Sequence, residues 1–166
     1  ISKNNVLLNW SLNYVQLGYI KESETNLNHP LSRTLNGNSL KWLNTSFTLF
    51  KPLNDRHFLL FQLGAELNGD YDFDNLPDFS NTRVPAAALF GFKPSDNLIW
   101  ALGISRTYLG GALNYLPIVY YYHTYNNNKW GIEALIPRQI QLRYRIDSRN
   151  VFMLGYFVEG ATYNLS

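Results

Sequence analysis

Residues 139–147 alternate without a break. Ile140, Leu142, Tyr144 and Ile146 stand between Gln139, Gln141, Arg143 and Arg145. A period of two puts successive side chains on opposite sides of an extended chain, so this segment has one apolar and one polar side. The pattern recurs in 6–20, where Val6, Leu8, Trp10, Leu12 and Tyr14 oppose Asn9, Ser11 and Asn13. It recurs in 42–50, 57–68 and 98–109, the last with Leu98, Trp100, Leu102 and Ile104 against Ala101, Gly103, Ser105 and Thr107. Segments 115–125, 129–136 and 151–163 are rich in Tyr, Ile, Val and Phe and also read as strands. Segment 83–93 is apolar and small on both sides. Nine strands are expected, with no helix.

Turns of Pro, Asn, Asp and Ser separate these segments at 51–56, 93–97, 126–128 and 147–150. The connections 21–38, 69–82 and 110–114 read as longer, and Pro137-Arg138 as a tight exception. Tight and long connections therefore alternate along a hairpin meander occupying residues 1–166 as one domain.

Two architectures fit. A soluble barrel or sandwich turns its apolar side inward, whereas a membrane barrel turns it toward lipid. Only 16% of residues are charged, against 16% aromatic, and the net charge is +2. The polar sides carry mainly Asn, Ser, Thr, Gly and Gln, and the charges gather in turns. Aromatics stand near strand ends: Trp42, Phe50, Phe58, Tyr108, Tyr125, Trp130 and Tyr163. These features point to an antiparallel up-and-down transmembrane β-barrel with interfacial aromatic belts. The longest apolar run, 84–92, is about half of the ~20 residues a membrane helix needs, while a strand needs only ~9–11. The chain opens on Ile1-Ser2-Lys3-Asn4-Asn5, without a signal-peptide pattern. Lipid tolerates no open sheet edge, and bacterial single-chain barrels have even strand numbers. Nine strands thus create the expectation of one or more further strands, at the C-terminal end. A soluble lipocalin-like binder is the alternative that keeps the apolar side inside.

Residues 131–146, followed by Leu154-Gly155 and Glu159-Gly160 with Tyr163, resemble an uncharacterised family of Bacteroidota outer-membrane β-barrel proteins, a domain of unknown function. The residues carrying the resemblance are Glu133, Ala134, Leu135, Pro137, Gly155, Glu159, Gly160 and Tyr163. Segment 100–110 is similar too. The resemblance implies a bacterial outer-membrane location and further strands after the matched segment. It implies no activity.

Composition excludes several chemistries. Without cysteine there is no disulfide, thiolate-ligated zinc or cysteine nucleophile, and +2 is too weak a charge to signal nucleic acid. His29, His57 and His123 show no metal-ligand spacing. His123 beside a lumenal Ser105, Glu66 or Glu133 would be the seed of a lipid hydrolase, but no G-x-S-x-G elbow accompanies it. Asp70, Asp72 and Asp74 alternate as at the start of a calcium loop, but Asn75 and Asn81 replace its Gly and Glu. An acidic surface loop is the simpler reading. No cofactor, metal or catalytic site is therefore expected.

Charges on strands carry more meaning. Arg143 and Arg145 share a polar side with Gln139 and Gln141, and Glu133, Glu159 and Glu66 fall on polar sides of other strands. Inside a barrel they are expected to form a lumenal charge network. It would plug and stiffen a narrow barrel or, alternatively, select an anionic solute. Arg106 falls on the apolar side near a strand end, where it can reach lipid or lipopolysaccharide headgroups. The expected role is structural or complex-forming, with outer-membrane lipid and other outer-membrane proteins as partners. A small solute-passage channel is the second reading, and a lipid-modifying enzyme or soluble binder more distant ones.

Overall fold

A computed structural model describes residues 5–18, 39–71, 82–109 and 111–158. The strands are β1 (Leu7–Gly18), β2 (Ser39–Pro52), β3 (His57–Gly69), β4 (Thr82–Arg83), β5 (Ala86–Ser95), β6 (Leu98–Leu109), β7 (Ala112–Tyr125), β8 (Trp130–Ile136), β9 (Gln139–Arg145) and β10 (Val151–Phe157). They form one antiparallel up-and-down sheet in the order β1-β2-β3-β5-β6-β7-β8-β9-β10, with β4 pairing β3. The all-β meander expected from the period-two pattern is therefore present, and no helix occurs among the described residues. The sheet is open: β1 and β10 are its two edges. Eight successive antiparallel pairings make these two edge strands run in the same direction.

Three boundaries differ from expectation. Segment 83–93 is interrupted at Val84 and Pro85, because proline has no N–H to give the ladder. The register against β3 nevertheless continues, from Glu66 opposite Arg83 to Leu63 opposite Ala86. Gly64 N–H donates to the Pro85 carbonyl at 2.8 Å across the gap. Second, the connection read as 110–114 is a tight turn, since Leu109 pairs with Ala112. Gly111 has φ 83°, a left-handed conformation that glycine enters without steric penalty. Third, β10 is described only to Phe157, and Tyr163 lies outside the described residues.

Turn chemistry follows the sequence. Asn126, Asn127 and Asn128 all have positive φ, near 53–63°, which asparagine tolerates better than most residues. The Asn54 side-chain oxygen accepts from the Arg56 and His57 N–H groups at 2.9 and 2.8 Å. Asp147 Oδ1 does the same for Arg149 and Asn150, at 2.7 and 2.8 Å.

A single sheet layer has no second layer to bury a core against. Among the described residues few apolar side chains are buried, namely Pro52, Tyr71, Leu89, Ala101 and Ala134, and no large side chain is fully enclosed. What the fold organises is two faces.

Candidate functional site: two unlike faces

The register assigns every strand residue to a face. Cross-strand partners share one, and overlapping rows carry the assignment from β1 to β10. One row reads Trp10, Phe47, Leu63, Ala86. Another reads Phe61, Ala88, Ile104 and Pro117. Farther along, Ile132, Leu142 and Leu154 align. All belong to the apolar face, which is the open one: Trp10, Leu63, Ile104 and Leu154 are 54–61% exposed.

The margins of this face are aromatic. At the end bearing the turns 53–56, 96–97 and 126–129, His57 packs on Phe92 with ring centroids 4.9 Å apart, and Phe92 meets Trp100 at 5.6 Å. His123 and Tyr125 follow at 4.4 Å, then Trp130 and Tyr144 at 4.3 Å. Toward the other end the same face carries Tyr14, Tyr108 and Tyr115, while Tyr156 falls in the row of Trp100, Tyr121, Ala134 and Ile140. Between the margins the face is mainly Leu, Ile, Val, Ala, Pro and Phe, with Trp10 and Thr45, bonded at 2.8 Å, and Arg106 as its polar members. On β6 the eight steps from Trp100 to Tyr108 cover roughly 26 Å at ~3.3 Å per residue, or ~20 Å of depth at a ~40° tilt.

Three of the aromatics expected in belts are elsewhere. Trp42, Phe50 and Phe58 have the opposite parity and belong to the polar face. Phe50 and Phe58 pack at 5.1 Å, and the Phe58 ring occupies the space where a Cβ on Gly91 would stand. Tyr108, Tyr125 and Trp130 are on the apolar face as expected.

The polar face holds two clusters. On β1–β4, Ser11 and Ser46 hydroxyls bond at 2.7 Å, and Asn13 Nδ2 approaches Asn44 Oδ1 at 3.5 Å. Asn44 Nδ2 donates to Glu66 Oε1 at 3.1 Å, and Glu66 stands opposite Arg83. On β7–β9, the Tyr120 hydroxyl donates to Glu133 Oε1 at 3.3 Å. Glu133 stands opposite Tyr122 on one side and Gln141 on the other. Arg143 lies over Gly131, and Arg145 is exposed on the same face. Ala87, Gly91, Ala101, Gly103 and Ser105, with the larger Leu89 among them, separate the clusters on β5 and β6.

Glu66, Glu133, Arg143 and Arg145 thus share a face, but they do not form one network in the sheet. Glu66 is four strands away from Glu133, and no hydrogen bond or ion pair joins Glu133 to Arg143. Glu159 lies outside the described residues. Arg83, Asn44 and Tyr120 are partners that the sequence reading did not single out. Arg83 was within reach of it, as the charge heading the strand next to the one bearing Glu66.

Arg106 is on the apolar face near the end of β6, opposite Ala86 and Tyr115. Its Nη1 donates to the Val84 carbonyl, and its guanidinium stands 5.5 Å from the Tyr108 ring centre. His123 does not meet Ser105, Glu66 or Glu133, because it faces the other way. Its Nδ1 is 3.0 Å from the Tyr121 hydroxyl, while Ser105 donates to the Leu116 carbonyl at 3.3 Å. The hydrolase pairing is therefore not formed. Of the acidic loop only Asp70 is described, and no group of three metal-ligating side chains occurs among the described residues. His29 also lies outside them.

Two turn carboxylates are held below the ordinary aspartate range. For Asp96 the cause is the Lys93 ammonium bonded at 2.7 Å. For Asp147 it is the Asn150 amide, then the Arg149 and Asn150 N–H groups.

Compared with known proteins, the chain matches no family model, no curated protein and no solved structure.

Proposed function

We propose that this chain is an integral β-barrel protein of a bacterial outer membrane, with a structural or complex-forming role. The observation that carries the reading is the open apolar face, bounded by a row of packed aromatic rings at one margin and carrying Tyr14, Tyr108 and Tyr115 toward the other. In water, monomeric proteins rarely leave contiguous apolar patches beyond a few hundred Å². In lipid the same face is favourable, and its calculated depth is close to the roughly 25 Å apolar band of outer-membrane barrels. The polar face then surrounds the barrel interior, where Glu66 and Glu133 find partners. The resemblance of residues 131–163 to the Bacteroidota barrel family supports the same compartment.

Lipid leaves no edge unpaired. Because β1 and β10 run in the same direction, antiparallel closure takes at least one further strand between them, from this chain or a partner. Arg106, at the aromatic margin, is the residue proposed to reach phosphate on lipid or lipopolysaccharide headgroups. Solute passage is the second reading. Arg143 favours it, because an arginine serving only to plug the interior would have its donors met by neighbouring side chains.

The test is folding in detergent or lipid vesicles, followed by electrophoresis in dodecyl sulfate with and without boiling. A closed membrane barrel migrates differently in the two lanes. A protein that stays soluble and folded without detergent, with one mobility, would refute the reading.

A further inference from the structure

Arg143 is a charge on the polar face that has no hydrogen-bond or ion-pair partner among the described residues. Its guanidinium lies against Gly131 of β8, where a Cβ would stand 3.1 Å from Nε and Nη2. Its Nε is buried and has no hydrogen-bond partner among the described residues. The adjoining carboxylate, Glu133, accepts from Tyr120 instead. Arg145 adds a second positive charge two residues along the same face. A buried donor left unmet is destabilising, and so are like charges side by side. An anion between them relieves both, and a guanidinium fork matches carboxylate and phosphate oxygens.

Next to Arg143, which pairs with Met153, is a groove of about 290 Å³ lined by Gln139, Gln141, Met153, Gly155 and Phe157 and by Ile140 and Tyr156 of the opposite parity. The pairs Arg143–Met153, Gln141–Gly155 and Gln139–Phe157 set its direction, from Arg143 toward the β8–β9 turn. At Gly155 the backbone of β10 runs close against β9, where an added Cβ would meet the Ile140 carbonyl. Met153 and Phe157 make one wall apolar. Gln141 Nε2 is turned to Met153 Sδ at 3.4 Å, a weak acceptor that an anionic oxygen readily replaces.

We propose that Arg143, with Gln141 and Arg145, binds the phosphate or carboxylate group of a small amphiphile whose short apolar part lies in the groove over Gly155. The site stands on the polar face and does not depend on which solvent meets the opposite face.

The experiment uses the folded protein with ¹⁵N-labelled arginine. The Arg143 Nε–Hε signal is identified by its absence in Arg143→Gln. The protein is titrated with hexyl phosphate, hexanoate, inorganic phosphate and hexanol, and with phosphatidic acid in detergent as the lipid form of the same chemistry. Hexyl phosphate and hexanoate are expected to move the Arg143 signal. Inorganic phosphate should bind about tenfold more weakly for want of the apolar contact, and hexanol should leave the signal unmoved. Arg143→Gln should weaken hexyl phosphate binding about tenfold or more, read by calorimetry. Phe157→Ala, which only removes atoms, should bring hexyl phosphate toward inorganic phosphate while leaving the latter unchanged. A response to the free or the lipid form supports the site, and the tighter one assigns the source. Undiminished binding in Arg143→Gln, or an unmoved Arg143 signal with every anion, would overturn it.

Discussion

Strand β6 shows the two faces side by side. Leu102 and Ile104 are 53 and 54% exposed, while Ala101 between Trp100 and Leu102 is 1% exposed. The outward positions Leu102 and Ile104 are large and more than half exposed. The inward positions are small, and neighbouring strands crowd over them. An added Cβ at Gly103 would collide with the Ala88 carbonyl and stand 2.8 Å from Leu89 Cγ. In a soluble sandwich the large residues would be the crowded ones. Here size and crowding run in opposite directions, and that inversion is what supports the proposed outward position of the apolar face.

The largest effect expected from breaking this contrast is a charge on the outer face. Ile104→Arg, midway between the aromatic margins, should destabilise the vesicle-folded protein by about 2–4 kcal/mol, measured by urea titration. If the outer face met water, the change would be close to neutral. On the inner face, Gly103→Val should cost about 1–3 kcal/mol through overpacking, with or without lipid. Glu66→Ala should cost about 1–2 kcal/mol, because it leaves Asn44 Nδ2 without its acceptor and Arg83 without the charge opposite it. A double-mutant cycle with Arg83→Ala separates the two contributions.

The smallest effect concerns the turns, outside both faces. Asp96 and Asp147 titrate below the ordinary 3.8. A carboxylate depressed by folding contributes stability that is present above the unfolded value and is lost as pH falls through the folded one. Melting temperature should therefore dip slightly below pH ~4. Asp147→Asn should remove part of that dip, as read by thermal scans at several pH values.

Much of this contrast was readable from residue order. The unbroken alternation of residues 139–147 gave β9 and both of its faces, because register is fixed wherever the two faces are unlike. Parity alone also places Phe50 and Phe58 with the polar residues of β2 and β3, and nearness to a strand end is a poorer guide than parity. The break at Val84-Pro85 and the tight turn at Gly111 were harder to read. Both faces of 83–93 are small and apolar, so the period carries no phase there, and a glycine pair can head a long loop or a two-residue turn. The charge network was legible as a face but not as contacts. Which acid meets which base depends on strands being neighbours, and Glu66 and Glu133 meet Arg83 and Tyr120 rather than the arginines of β9.

The absence of cysteine makes one measurement direct. Single cysteines placed in turn at 101–107, spin-labelled and studied in lipid vesicles, report accessibility to oxygen, which concentrates in lipid, and to a nickel chelate, which stays in water. The outward positions Leu102 and Ile104 should be open to oxygen and closed to nickel, and Ser105 and Thr107 should not share that profile. A two-residue alternation in that phase is the expected result. Nickel reaching Leu102 and Ile104 as freely as an exposed turn position such as Ser148 would contradict a lipid-facing apolar surface.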